Sequence, residues 1–80
     1  MWVVLWVEGG LPTTVQGTCL FDDALEAYAK ASAWLRQGGY ADDLVAEAEA
    51  ALWSTLEDGE DADTGEALPD GTLVVLQVQA

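Results

Sequence analysis

The chain has no histidine and a single cysteine, Cys19, in 80 residues. One cysteine rules out an internal disulfide and a cysteine-built zinc site. The missing histidine removes most transition-metal sites, the usual general base, and every Ser/His or Cys/His nucleophile pair. Cations are almost as scarce. Lys30 and Arg36 stand against fifteen acids, for a formal net charge of −13. A small soluble domain carries a magnitude of about 2–8. Two cations cannot replace a duplex's counterion atmosphere, and they give no hold on an anionic bilayer. Nucleic acid and membrane are therefore excluded as direct partners. No apolar run is long enough to span a bilayer, and the N-terminus lacks the basic start of a cleavable signal.

What is present is apolar. The composition is 51% hydrophobic with four tryptophans, too rich in buriable surface for a disordered chain. Trp2-Val3-Val4-Leu5-Trp6-Val7 is a continuous β-branched and aromatic run, which predicts a central strand covered on both faces. Gly9-Gly10-Leu11-Pro12 turns the chain, and Thr13 to Phe21 predicts a second, antiparallel strand. Within it Cys19 is a small buried apolar residue.

Two helices follow. Asp22 is the expected N-cap of the first, with Asp23 and Glu26 at the positive end of its dipole. Leu25, Tyr28, Ser32 and Leu35 form its inner stripe, with Ala24 and Ala31 beside it, and Gly38 or Gly39 supplies a left-handed end. Trp34 lies off this stripe, where it either covers the helix–helix seam, the favoured reading, or serves as a contact residue. Asp42-Asp43 opens the second helix, with Asp42 as its cap. Its inner face is Leu44, Val45, Ala48, Ala51, Leu52, Thr55 and Leu56. Asp43 and Glu47 share one outer face, Glu49 and Trp53 another. The short connection makes the pair an antiparallel hairpin.

Residues 57–71 predict a mobile, strongly negative loop. Glu57 to Glu66 holds six acids in ten residues, with Gly59 and Gly65 breaking any helix. Leu73 to Val78 is the last strand. The expectation is one α+β domain, 1–80, of order β-β-α-α-β. Its three-stranded sheet runs 2-1-3, with the last strand parallel to the first through a right-handed crossover, or else 1-2-3 with every strand antiparallel; the unbroken apolar run of Trp2 to Val7 favours the first. The helix hairpin packs on one face. The other face keeps an apolar row, to be covered by the acidic loop through Leu68, by a second copy in a homodimer, or by a partner.

The acids set the chemistry. An EF-hand needs Gly sixth and Glu twelfth. The run from Asp61 has Gly65 fifth and Thr72 twelfth, so no calcium loop is expected. Paired carboxylates for hydrolysis need a cleft that so small a chain hardly supplies. No enzyme activity, metal or cofactor is expected. Three acidic groups instead resemble the spaced charge of a phosphate backbone: Asp22, Asp23 and Glu26; Asp42, Asp43 and Glu47; and the run from Glu57 to Glu66. The residues expected to bind a partner are Asp23, Glu26, Asp43, Glu47, Trp53, Glu57, Asp58, Glu60, Asp61, Asp63 and Glu66. Trp53 would supply apolar specificity.

A short chain with this charge and no catalytic residues resembles the phage-encoded anti-CRISPR proteins. The resemblance is one of whole-chain profile, since those proteins share no motif. It implies an inhibitor that mimics DNA and occupies the basic channel of a CRISPR effector, for instance a Cascade-type subunit, in the cytoplasm of the bacterial host. Met1 to Val7 with its hairpin, followed by Phe21-Asp22-Asp23-Ala24-Leu25-Glu26-Ala27-Tyr28, also resembles the small β-β-α domains of HicB-type antitoxins. That resemblance implies a module pairing through the apolar back of its sheet.

Overall fold

A computed structural model describes residues 1–14, 20–64 and 68–78, with the side chains of 12–14 left out. The fold is α+β. Its elements are β1 (Trp2–Glu8), β2 (Leu11–Thr14), β3 (Leu20–Phe21), α1 (Ala24–Gln37), α2 (Asp42–Glu57), β4 (Ala62–Asp63) and β5 (Thr72–Gln77). The sheet runs β2-β1-β5-β4, with β3 also on β1, and every pairing is antiparallel.

The first strand is central and β2-β1-β5 keeps the expected order of neighbours, but the sheet has five strands instead of three and the last strand runs the other way. β5 runs antiparallel to β1, from Trp2 opposite Gln77 to Val7 opposite Thr72. The physical reason lies in the acidic run. Ala62–Asp63 forms a strand there that pairs with Val74 and Val75 of β5. This extra hairpin adds one chain reversal, so no parallel crossover joins β1 to β5.

The β1–β2 connection is the two-residue turn Gly9-Gly10, flanked by the pair Glu8 and Leu11. Both glycines have positive φ, +60° and +81°. A type I′ hairpin turn requires this, and only glycine takes it without strain. The predicted second strand is two pieces. Thr14 lies opposite Leu5 and Leu20 opposite Val3, so six positions on one side answer two on the other. Cys19 lies outside the described residues.

Strand parity decides which side chains enter the core. Trp2, Val4 and Trp6 of β1 and Leu73 and Val75 of β5 face the helices and are buried. They meet Ala27, Ala31 and Leu35 of α1 and Val45, Ala48, Leu52 and Leu56 of α2 in one cluster. Alanines at the helix contact let α1 approach the sheet closely. Leu25 is 61% exposed, not inward. The inner stripe of α1 therefore runs through Ala27, one step round the helix from the stripe expected of its large residues.

Capping also differs from expectation. Asp23, not Asp22, caps α1, accepting the Glu26 N–H at 2.8 Å. Ala41 caps α2 without a side-chain bond, so Asp42 stands inside the helix rather than at its cap. Gly39 takes the left-handed conformation past α1. Gly71 has a different duty. A Cβ there would come within 2.5 Å of the Val7 carbonyl and 2.8 Å of the Trp6 ring. β5 can thus enter the sheet only with no side chain at this position.

Two tryptophans take places other than those expected. Trp34 packs on Trp6, ring centroids 5.9 Å apart, and closes the helix–sheet contact, not the helix–helix seam. Trp53 closes that seam, edge-on against Tyr28 at 5.2 Å. The second sheet face carries Val3, Leu5, Val7, Val74 and Leu76, all half-buried. The expected apolar row is there, and β1 is not packed under a layer on both faces by the described residues. Leu68 does not lie over this row. It is buried with the helix-side cluster.

Candidate functional site: an acidic surface at both ends of the helix pair

Every described carboxylate except that of Glu49 is exposed. Glu49 is drawn into the helix hairpin. Arg36 Nη2 lies 3.2 Å from both of its oxygens, and the Ser32 hydroxyl donates to the same carboxylate. One of the chain's two cations thus serves the α1–α2 contact.

The antiparallel hairpin gathers the outer acids at its ends. The start of α1 carries Asp22, Asp23 and Glu26, and the end of α2 carries Glu57, Asp58 and Glu60. The contact of Tyr28 with Trp53 brings these two ends together. Asp61 joins them from the sheet, where its Oδ1 accepts the Gln77 N–H at 2.7 Å. Gln77 lies opposite Trp2, and Trp2 opposite Phe21, so Asp61 and Asp22 flank the same end of the sheet. Asp63 is exposed in β4. Glu66 lies outside the described residues.

Asp43 and Glu47 are exposed near the start of α2, at the opposite end. Sixteen helical residues place them about 20 Å from the other group. Two acids not expected from the sequence join them. Asp70 accepts a hydrogen bond from Tyr40, and Glu8 lies close enough to act on the same phenol. Their positions in the chain, at two unrelated turns, give no local signal that they converge. The acids therefore form two groups at the ends of the helix layer.

Not all of them serve the surface alone. Asp23 is a cap, Asp61 closes the edge of β5, and Glu8 accepts from the Trp6 indole N–H at 3.2 Å. Thr64 completes the β4–β5 contact, its buried hydroxyl accepting the Leu73 N–H at 3.1 Å. For Glu57, Asp58 and Glu60 the fold supplies no such duty. They end a helix whose last turn has no basic residue, where the dipole presents its negative pole and acids are unfavourable. Trp53 stays 37% exposed beside its Tyr28 contact, so part of its ring is available at the surface.

Burial above all, then the charge and hydrogen bond of Asp70, and then Glu8, hold the Tyr40 phenol above its usual range. Burial first and Glu49 second raise Tyr28 likewise, against a lowering by Arg36. An unfolded tyrosine ionises near pH 10. Above that pH the unfolded chain has released protons that the folded chain keeps, so stability falls as pH rises. Below it these two groups contribute no pH dependence. The urea midpoint should decline above about pH 10, and Tyr28→Phe with Tyr40→Phe should flatten that decline.

Among the described residues no group of three or more acids or cysteines is arranged to hold a metal ion, and no helix is long and apolar enough to cross a membrane. No family model, curated protein or solved structure matches the chain.

Proposed function

We propose that this protein is a stoichiometric inhibitor of the anti-CRISPR kind. It binds the Lys/Arg-lined nucleic-acid channel of a CRISPR surveillance complex and keeps target DNA out. The observation that carries the reading is the placement of Glu57, Asp58 and Glu60. Three acids at the negative pole of α2 work against the helix that bears them, which points to a use outside the fold. Support also comes from dimension. The two acidic groups lie about 20 Å apart along the helix pair, within the roughly 34 Å of one duplex turn. Electrostatic attraction would speed encounter and make the complex salt-sensitive.

The test is competition. Adding the protein to a purified surveillance complex at low salt should displace target DNA with one-to-one stoichiometry, and rising salt should weaken the effect. DNA binding that is unchanged at saturating protein and low salt would sink the reading.

The open apolar back of the sheet favours a second reading, an antitoxin-like or structural module that pairs through that face.

A further inference from the structure

The face away from the helices has a defined composition. Val3, Leu5 and Val7 of β1 stand beside Val74 and Leu76 of β5, with no charged side chain among these five. An acid stands at one margin and a groove of mixed charge at the other. On one side Asp63 is opposite Val74 in register and so shares the face. On the other, Leu20 is opposite Val3 and half-exposed. Leu20 and Phe21 line an open groove of about 620 Å³ with Asp22, Glu26 and Lys30.

Size and charge select the occupant. Strands spaced about 4.8 Å apart, seven residues long in β1 and six in β5 but four in β2 and two each in β3 and β4, project onto roughly 300 Å². That is less than half of what each partner gives to a standard interface. A second copy would also bring another −13 against the same margins. A helix of about 10–12 Å diameter and four turns fits this footprint.

We infer that the sheet face left uncovered by the described residues docks an amphipathic helix of a partner protein, with an aliphatic stripe on the sheet and Lys or Arg along both flanks. The helix completes a third layer over the apolar row, while its cations meet Asp63 on one side and Asp22, next to Leu20 and Phe21, on the other. This rests on the sheet-back reading and is independent of the channel reading.

The probe is a synthetic fourteen-residue peptide with leucines at helical i, i+3, i+4 spacing and lysines elsewhere. A scrambled peptide of the same composition and a Leu/Glu version are the controls. With the full chain labelled for methyl NMR, the Leu/Lys helix should shift Leu5, Val74 and Leu76. Leu5→Thr with Val74→Thr should weaken binding about tenfold, the equivalent of about 1.4 kcal/mol. Leu20→Ser, at an exposed site, should weaken it by a smaller factor and keeps the test alive should the double variant misfold. Equal binding of the scrambled peptide, or shifts confined to the helix layer, would overturn the proposal by reducing it to charge alone. A dimer in sedimentation that Leu5→Thr with Val74→Thr abolishes would also overturn it, by giving the face to a second copy. No methyl shift with any peptide and no dimer would remove the sheet-back reading itself.

Discussion

Trp6→Ala is expected to leave the protein largely unfolded at low salt. Trp6 is 8% exposed, packs on Trp34, donates its indole N–H to Glu8 and lies against Gly71. Truncating a buried tryptophan costs about 3–5 kcal/mol. An 80-residue chain has on the order of 4–12 kcal/mol in all. Self-repulsion at −13 pulls this one towards the lower end. The loss therefore consumes most of the margin. Urea is the denaturant to use, because guanidinium is itself a salt and would screen the acids being measured. Added sodium chloride should restore part of the folded population of the variant. Trp53→Ala is the control. Its ring is 37% exposed and touches Tyr28 at the seam, so its cost should stay near 1–2 kcal/mol. Equal losses from the two substitutions would mean that the packing of Trp6 between sheet and α1 does not dominate the core. Trp6 also cannot report on pairing through the open back of the sheet, since it points to the helices. Leu5 and Val74 are the residues that can.

The parts legible in the sequence are those with long runs of pattern. Trp2 to Val7 is central because nothing polar interrupts it, and the two helices follow from their apolar spacing and the glycines between them. The inner face of α2 was readable because Val45, Ala48, Leu52 and Leu56 repeat at helical spacing. The α1 stripe was not, because the eye follows Leu25 while the sheet needs the small side chain of Ala27. β4 escaped notice for a related reason. Two residues inside a run of acids carry no strand signal of their own. They become a strand because β5 has an open edge and Thr64 and Asp61 can take its N–H groups. That hairpin sets the direction of β5, which a chain without it would reverse. Two adjacent aspartates at 22 and 23 both look like caps, and only the backbone geometry chooses Asp23. For the site, the acids were evident as composition. Their grouping was partly readable from helix direction, but the approach of Glu8 and Asp70 to Tyr40 depends on turns brought together by the sheet.

Reversing Glu57, Asp58 and Glu60 to lysine should make the protein more stable and inactive at once. Each change swings the charge by two, taking the net from −13 to −7. All three positions are exposed, at or just beyond the end of α2. A lysine there meets the negative pole of the dipole favourably, at about 0.3–1 kcal/mol each at low salt. Relief of the general repulsion adds to this, so a gain of about 1–2 kcal/mol in the urea extrapolation is expected. Asp61 and Asp63 are kept, because Asp61 holds the Gln77 N–H and Asp63 belongs to β4. Changing them would mix loss of structure with loss of binding. If the acids serve a cationic channel, three reversed charges should weaken capture of the surveillance complex about a hundredfold or more, mostly with loss of its salt dependence. Stability and binding thus move in opposite directions, which no general damage to the fold can imitate. A triple variant that is less stable and still displaces DNA would show that these residues serve the helix after all.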